Sequence, residues 1–473
     1  MVREAGEAFG DLLRRQRRAA GLTQEELAAR AGLSARGIAD LERGARRTPR
    51  RDTVALLVRA LGGSAGDEAD LLAAARRSSR LSTGAASPTE AEPQRGASSG
   101  QARHNVPAQT TPLLGRAEAV RTVLALVRRA DVRLVTLTGP GGVGKTRLAI
   151  QVAAELLDDF ADGVWFVRLS RLTDPSLVLP TVAETLGLTE AGDRSLAEAL
   201  RGHLRERRLL LVLDNCEHVA EAMPAVASLL ELCPALKVLA TSRAALRLRG
   251  EHDYPVPPLG VPPAVAGPGS VPAPERLLEY PAMALFVERA RATRPDFALT
   301  TANALAVAAI CARLDGLPLA IELAAARIKL LPPPALLAQL EHGLGVLTGG
   351  PRDLVERQQA IHSTIAWSEH LLSAAERVPF RRLAVFAGGC TLEAAQAVCV
   401  VPEGAAPLQL DLLEGLSALV EQSLVQQREE GGEARFGMLH TIREYALERL
   451  DAVGASGGRP LQPGGRPSSR AAT

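Results

Sequence analysis

The sequence predicts a multidomain protein: an all-α head, then an α/β domain with a parallel sheet, then further helical domains. Three observations support this fold class. Residues 9–62 contain short amphipathic runs with helix caps. Residues 133–242 alternate strand-like with helix-like runs, and a glycine-rich loop follows the first strand-like run. At 473 residues, the chain is long enough for about three domains.

Composition argues against several classes of protein. The five cysteines form no C-x-x-C pair, which argues against a zinc site and a disulfide framework and fits a reducing compartment. The sequence has no uninterrupted apolar run of 18 residues and no apolar signal segment at its N-terminus. We therefore expect no membrane association and a cytoplasmic location. The net charge of +2 does not indicate a partner by itself.

Residues 1–78 are predicted to form a helix-turn-helix domain. Thr23 and Glu26 have the spacing of a capping box, which starts a helix at Gln24. A tight turn at residues 31–33 contains glycine, and Ser34 then caps a third helix. Two short helices joined by a glycine-containing turn are typical of helix-turn-helix proteins.

The charge of this head predicts binding to double-stranded DNA. Residues 1–80 contain 16 arginines and 11 acidic residues, a balance of +5. Six of these arginines lie between Arg36 and Arg51, at and just after the third helix, where they can neutralise phosphates. The alternative is a solvated basic face on a domain that binds protein. Residues 79–106, rich in Ser, Gly, Ala, Pro and Gln, are predicted to be a flexible linker.

A P-loop is predicted between the first strand and the helix that follows it. The pattern G-x-x-x-x-G-K-[ST] is formed by Gly139, Pro140, Gly141, Gly142, Val143, Gly144, Lys145 and Thr146. Its backbone N–H groups and the helix N-terminus would bind phosphates, Lys145 would reach the β- and γ-phosphates, and Thr146 would bind Mg²⁺. The alternatives are a turn without a ligand and a dinucleotide fold. A dinucleotide fold would have an acid at the end of the second strand, but residues 164–170 end without one.

The remaining strands place further candidate residues near this loop. Strands are predicted at residues 133–138, 164–170, 209–214 and 236–242. Asp214 ends the third strand, where P-loop enzymes place an acid that holds Mg²⁺. Arg243 follows the fourth strand and is a candidate sensor of the γ-phosphate. Asn215 to His218 are four contiguous residues, which cannot all converge on one metal ion, so we reject a zinc site there.

Several motifs together resemble the NB-ARC-like branch of STAND ATPases, specifically bacterial regulators with an N-terminal Xre/Cro-type helix-turn-helix. They are Gly115-Arg116, the P-loop, Leu211-Val-Leu-Asp-Asn215, Ala240-Thr-Ser-Arg243, Gly316-Leu-Pro-Leu-Ala320 and the head motif 22–34. The resemblance implies a P-loop NTPase domain at 107–262, a helical subdomain at 263–350 and a winged helix at 351–453. Residues 416–427 and 435–440 would be the last helix and the wing. Residues 454–473 are predicted to be a disordered tail.

The resemblance also implies residue roles. Gly115 and Arg116 would lie near the adenine, Pro318 would pack against the nucleotide, and His440 would contact a phosphate from the end of the wing. Gln24 would contact a DNA phosphate, while Ala35, Arg36 and Asp40 would face the bases. The complete predicted DNA-binding set is Gln24, Ser34, Ala35, Arg36, Asp40 and Arg43.

The predicted function is an ATP/ADP-switched transcription regulator that hydrolyses ATP slowly and self-associates when ATP and Mg²⁺ are bound. The predicted catalytic set is Lys145, Asp214, Arg243 and Glu217. Many relatives have a second acid where this chain has Asn215, so Glu217 is the remaining candidate to activate water. Two alternatives remain: a signalling or defence ATPase whose head binds protein, and a metabolic P-loop kinase.

Overall fold

The computed structural model describes residues 9–31, 38, 41–42, 51–61, 71, 74, 104–188, 195–263, 273–347, 360–399 and 411–456. The chain divides into two compact units, Met1–Ser99 and Gly100–Thr473. Each has its own buried core.

The N-terminal unit is helical, as the sequence predicts. Its described helices are α1 (Phe9–Ala19), α2 (Gln24–Ala31) and α3 (Arg51–Leu61). The predicted capping box is present, because Thr23 N donates to Glu26 Oε2 at 2.8 Å and Glu26 N donates to Thr23 Oγ1 at 3.2 Å. Glu42 is buried and accepts hydrogen bonds from Arg17 of α1 and Gln24 of α2. This carboxylate therefore connects the first two helices.

A five-stranded parallel sheet, in the order β2-β3-β4-β1-β5, forms the centre of the second unit. Its strands are β1 (Leu134–Thr138), β2 (Val164–Arg168), β3 (Leu210–Asp214), β4 (Lys237–Thr241) and β5 (Glu251–Pro255). The four predicted strands are confirmed with slightly shorter bounds. The sequence analysis missed β5 because it is a polar edge strand, Glu-His-Asp-Tyr-Pro, with no buried residue. Among the described strands it pairs with β1 alone.

Helices cover both faces of this sheet. They are α4 (Ala117–Arg128), α5 (Lys145–Glu155), α6 (Val178–Thr185), α7 (Leu196–Leu204) and α8 (Met223–Leu232). Short 3₁₀ segments lie at Leu157–Asp159, Pro175–Leu177 and Glu217–Ala222. Every residue of β1 and β3 is buried, as expected for strands covered on two sides. Their apolar side chains alternate between two separate core clusters.

The helical part that follows contains α9 (Pro274–Leu277), α10 (Pro281–Thr293), α11 (Ala304–Arg313), α12 (Pro318–Ala326) and α13 (Pro333–Glu341). Two more 3₁₀ segments lie at Arg327–Lys329 and Leu344–Val346. The glycine at 316, with φ of 65°, lets the chain pass close to the sheet domain. A Cβ there would come within 2.1 Å of the Leu259 carbonyl oxygen.

The C-terminal part is a winged helix, which confirms the predicted fold class. It contains α14 (Ile361–His370), α15 (Ala374–Leu383), β6 (Cys390–Thr391), α16 (Leu392–Cys399), α17 (Leu412–Glu421), β7 (Gln426–Glu430), β8 (Glu433–Gly437) and α18 (His440–Ser456). The three strands form an antiparallel sheet in the order β6-β8-β7. One core cluster extends from the helices of the sheet domain through this part.

Three local expectations need correction. The predicted last helix, 416–427, ends at Glu421, because Ser423 has a left-handed φ of 57° and Gln426 already belongs to β7. The wing is the β7–β8 hairpin, and α18 follows it through Ser456, three residues into the predicted disordered tail. At the end of the predicted linker, His104 bridges to Val164 and Asn105 bonds both backbone groups of Phe166, so these residues extend the sheet beyond β2.

Candidate nucleotide-binding site

A cavity of about 640 Å³ lies at the carboxyl ends of the parallel strands, where α/β sheets commonly bind ligands. The sheet domain, the helical part and the winged helix all contribute to it. Its lining includes Pro112, Leu113, Leu114, Arg116, Gly141, Gly142, Val143, Gly144, Lys145, Thr146, Arg147, Arg168, Ser170, Arg171, Asp214, Asn215, Glu217, Thr241, Arg243, Leu259, Leu285, Pro318, Leu319, Glu322 and Thr364.

The P-loop adopts a conformation that requires glycine. Gly139, Gly142 and Gly144 have φ values of 142°, 83° and 98°, and Gly144 leads directly into α5. Gly141 is constrained by close approach, since a Cβ there would lie 2.3 Å from Thr364 Cγ2. The loop is therefore closely covered by α14 of the winged helix.

Lys145 bends back over the loop that precedes it. Its Nζ donates to the carbonyl oxygens of Gly139 at 2.7 Å and Pro140 at 3.2 Å. Burial lowers the pKa of Lys145 to about 8; the carboxylates of Glu217 and Asp214 oppose this shift. The ammonium is the kind of group that binds phosphate oxygens in a P-loop.

Thr146 and Asp214, the two predicted metal ligands, are in direct contact. Thr146 Oγ1 donates to Asp214 Oδ1 at 2.6 Å, and Thr241 Oγ1 donates to the same oxygen at 2.9 Å. Burial raises the pKa of Asp214, although these two hydrogen bonds oppose the rise. Among the described residues, no group of three His, Cys, Asp or Glu side chains could hold a metal ion. One carboxylate and one hydroxyl suit Mg²⁺, which keeps several waters and shares its ligands with nucleotide phosphates.

Arg243 connects the sheet to the winged helix. Its Nε donates to Glu217 Oε1 at 3.2 Å, and each of these two side chains is only 5% exposed. Its Nη1 donates to the Thr364 carbonyl oxygen at 3.2 Å, and Ser423 Oγ donates to the Arg243 carbonyl oxygen at 2.7 Å. The candidate sensor is thus held by an acid of its own domain and by two elements of the winged helix.

Asn215 is fixed beside Asp214 by contacts of its own. It has a left-handed φ of 71°, its N–H donates to Thr241 Oγ1 at 2.8 Å, and its Nδ2 lies 2.9 Å from His218 Nδ1. His218 Nε2 lies 3.1 Å from the Leu169 carbonyl oxygen. The position after Asp214 therefore presents an amide to the cavity, and Glu217 is another acid of its lining.

On the side predicted to hold the adenine, Arg116 is buried and binds two carbonyl oxygens, those of Pro257 at 2.5 Å and Val143 at 2.9 Å. Burial lowers the pKa of this guanidinium. A Cβ on Gly115 would lie 2.2 Å from Pro281 Cβ, so this position packs against α10 and does not line the cavity. Pro318 lines the cavity at the start of α12, where Leu319 N donates to the Gly142 carbonyl oxygen at 3.2 Å.

His440 is not brought to the cavity. It begins α18, where its backbone N–H donates to Asp315 Oδ1 at 2.8 Å and its Nε2 lies 3.1 Å from Glu444 Oε1. Gly139 and Pro140 contribute backbone conformation and the carbonyls that bind Lys145, but they do not line the cavity.

The sequence analysis missed several residues of this site. Thr364 and Ser423 lie on segments without a functional motif, and no local signal identifies them. Arg168 and Arg171 line the cavity at the end of β2, where the sequence indicated only that an acid is missing.

The predicted DNA-binding residues lie mostly outside the described part of the chain; Gln24 is the exception. Its Nε2 donates to Glu42 Oε2 at 2.7 Å, so in this structure it supports the helical head itself. The residues outside the described ranges are Ser34, Ala35, Arg36, Asp40 and Arg43.

The fold and cavity define a P-loop protein of the α/β class. Known families match the chain in three places: a helix-turn-helix over residues 13–67, an NB-ARC domain over 116–245 and a winged helix-turn-helix domain over 372–451. An uncharacterized protein of Mycobacterium tuberculosis (strain ATCC 25618 / H37Rv) is 39% identical over 353 residues, covering 74% of this chain and 84% of that protein. The chain belongs to a family that carries an NB-ARC domain between a helix-turn-helix and a winged helix-turn-helix domain.

Two longer relatives have names that describe regulators. A protein of the same M. tuberculosis strain, named as an HTH-type transcriptional regulator, is 42% identical over 329 residues, covering 69% of this chain and 34% of that protein. The regulatory protein AfsR of Streptomyces coelicolor is 29% identical over 384 residues, covering 76% of this chain and 34% of that protein. The chain thus spans about a third of the length of each.

Among solved structures, a STAND protein with a tetratricopeptide repeat sensor from Pyrococcus horikoshii is 14% identical, with a TM-score of 0.29. The match covers 72% of this chain and 45% of the Pyrococcus horikoshii protein. This similarity is too low to establish a shared arrangement. Within the described ranges, every helix is too short or too polar to cross a membrane.

Proposed function

We propose that this protein is a DNA-binding transcription regulator switched by ATP and ADP. ATP with Mg²⁺, or ADP, would occupy the cavity, and the helical head would bind double-stranded DNA. The main observation is that three parts of the second unit line one cavity and that Arg243 joins two of them. The proposal includes a cytoplasmic location.

We assign the residue roles from the P-loop motif, the family resemblance and the contacts in the cavity. The backbone of residues 139–144 and Lys145 would bind the phosphates, and Thr146 with Asp214 would hold Mg²⁺. Arg116 and Pro318 would border the base, with Gly115 supporting that side through its contact with Pro281.

Arg243 provides a physical reason for the difference between ATP and ADP. In this structure its guanidinium binds Glu217 and the carbonyl oxygen of Thr364. A γ-phosphate would compete for these donors through a strong charge-assisted pair, whereas ADP has no group at that position. Only such a difference in affinity can shift the equilibrium between two conformations. ATP would therefore weaken the contact with α14 and favour an open form that self-associates.

We further propose that hydrolysis is slow. Asn215 is an amide and cannot accept a proton from water as a carboxylate can. Glu217 lines the cavity, but its carboxylate is paired with Arg243. A slow reaction suits a switch, because the bound nucleotide then sets the lifetime of the active form.

Single-turnover hydrolysis tests this part of the proposal. Asn215→Asp should accelerate hydrolysis, by up to about a hundredfold if the new carboxylate acts as a general base. Glu221→Gln, an exposed acid of the same segment, should leave the rate unchanged. A wild-type turnover near about 10 per second, a common enzyme value, would contradict slow hydrolysis.

Genome-wide DNA footprinting with the full-length protein tests the function as a whole. We expect protection of discrete duplex sites whose occupancy differs between Mg²⁺-ATP and ADP. Lys145→Ala should remove this difference, because the loop loses its phosphate-binding cation. Absence of salt-dependent DNA binding would instead favour a signalling or defence ATPase whose head binds protein.

A further inference from the structure

Two arginines at the carboxyl end of β2 line the cavity without a hydrogen bond or ion pair to the described part of the protein. Arg168 is the last residue of β2, and Arg171 lies three residues further on. Both are exposed, and the cation–π contact of Arg168 with the Phe166 ring, at 5.9 Å, leaves the N–H groups of its guanidinium available.

The other cationic side chains of the cavity are already engaged. Lys145 binds two carbonyl oxygens of its own loop, and Arg116 binds those of Pro257 and Val143. Arg147 binds Thr111 and Pro112, and Arg243 binds Glu217 and Thr364. An incoming phosphate would have to displace protein partners from each of these cations.

The position of Arg168 relative to the metal site is set by strand register. Arg168 on β2 is the direct partner of Asp214 on β3, and neighbouring strands are about 4.8 Å apart. Asp214 in turn binds Thr146 of the P-loop. Since β2 lies three strands from β1, Arg168 approaches the metal site from the side away from the P-loop.

We propose that Arg168 binds the terminal phosphate of a nucleoside triphosphate and so helps the cavity distinguish it from a diphosphate. This inference rests on the proposed nucleotide binding and adds a residue to it. The planar guanidinium offers N–H donors in a fork that fits two phosphate oxygens. Arg168 lies on the side of Asp214 away from the P-loop, so it would meet the outermost phosphate of the bound nucleotide. Arg168 binds this phosphate without breaking a hydrogen bond or ion pair to the described part of the protein, whereas Arg243 has to break its contacts with Glu217 and Thr364.

A purely electrostatic role makes a different prediction. If Arg168 only raised the positive potential of the cavity, its loss would weaken diphosphate and triphosphate binding to a similar extent. A direct contact with the terminal phosphate acts on the triphosphate alone. The ratio of the two dissociation constants therefore separates the two roles.

Calorimetry on the full-length protein with Mg²⁺ provides the test, with ADP and the non-hydrolysable analogue AMP-PNP as ligands. Arg168→Gln should weaken AMP-PNP binding about tenfold or more and leave ADP binding nearly unchanged. Arg168→Lys keeps the charge but loses the forked arrangement of N–H donors, so its AMP-PNP affinity should lie between those of the wild type and Arg168→Gln. Arg121→Gln, an exposed arginine of α4 outside the cavity, is the matched control and should resemble wild type.

The outcomes separate the inference from the function on which it rests. If the wild type binds neither nucleotide, the proposed function fails. If the wild type binds both and Arg168→Gln keeps the wild-type ratio of the two constants, the inference on Arg168 is overturned and the function stands. A thermal melt without nucleotide verifies that Arg168→Gln is folded, and Arg168→Lys provides the second comparison.

Discussion

At the scale of single residues, the fold changes the chemistry of Lys145. Its pKa is lowered to about 8 by burial, and the neighbouring Arg243 acts in the same direction. In this structure its ammonium binds two backbone carbonyl oxygens. Bound phosphates would stabilise the charged form, so binding should be linked to proton uptake.

We therefore expect ADP affinity to fall as the pH rises through about 8. Below this value Lys145 is already charged; above it, binding has to recharge the amine, and the dissociation constant should rise up to about tenfold per pH unit. ADP itself changes little in this range, because its phosphates are already ionised. Calorimetry at pH 7 to 9.5, in buffers of different ionisation enthalpy, measures both the affinity and the proton uptake. A constant ADP affinity across this pH range would contradict the link between ADP binding and proton uptake by Lys145.

The role of Asp214 can be tested against a matched acid on the same sheet. Asp214→Ala should weaken Mg²⁺-dependent ATP binding by about tenfold or more and spare ADP binding without Mg²⁺. Asp253→Ala is the control, because Asp253 also accepts a hydrogen bond from a threonine, Thr138 at 2.6 Å, but does not line the cavity. Calorimetry with and without Mg²⁺ measures the effect. Wild-type ATP affinity in Asp214→Ala would exclude it as a metal ligand.

At the scale of secondary-structure elements, the N-terminus of α18 is capped by a distant residue. Asp315, in the turn between α11 and α12, accepts hydrogen bonds from His440 N at 2.8 Å, Thr441 N at 2.8 Å and Thr441 Oγ1 at 2.9 Å. A carboxylate at the N-terminus of a helix also interacts favourably with the positive end of the helix dipole. This contact holds the winged helix against the helical part.

Asp315→Ala should loosen this contact. It leaves two backbone N–H groups at the start of α18 without their acceptor, which should lower the free energy of unfolding by about 1–3 kcal/mol. Hydrogen exchange should accelerate over residues 440–456, and denaturant unfolding measures the stability. Asp296→Ala is the control, since Asp296 is exposed and its ion-pair partner within the described ranges is the nearby Arg294. Equal exchange rates in both variants would show that Asp315 does not hold α18.

At the scale of the whole molecule, the chain consists of two units with separate cores. The N-terminal core is formed by apolar residues of α1 to α3 and their neighbours, including the fully buried Leu13, Leu27 and Leu57. This unit should therefore fold and bind without the rest of the chain.

We expect residues 1–78 alone to bind duplex DNA, more weakly than the full-length protein, because one head makes few phosphate contacts. Arg36→Ala should relax base preference while changing the salt slope by at most about one unit. Arg59→Ala, outside the arginine cluster at 36–51, should leave base preference unchanged. Fluorescence anisotropy across a salt series measures both quantities. No binding even at low salt would exclude the DNA-binding role of this head.

The sequence by itself determined the features that depend on neighbouring residues. The P-loop, four strands and the capping box at Thr23 follow from periodicity, glycine placement and motif spacing, which act over a few residues at a time. The winged-helix fold followed from the resemblance of several motifs to a known family. The contact of Thr146 with Asp214 was also predictable, because carboxyl ends of parallel strands share one edge of the sheet.

The tertiary structure decided the features that depend on residues far apart in the chain. The polar strand β5 forms because β1 offers it an edge, and its sequence carries no apolar signal. His440 lies away from the cavity because Asp315 fixes the start of α18. Arg243 meets Thr364 across 121 residues, and strand register places Arg168 beside Asp214. Such contacts arise only when whole domains pack together, so no local pattern encodes them.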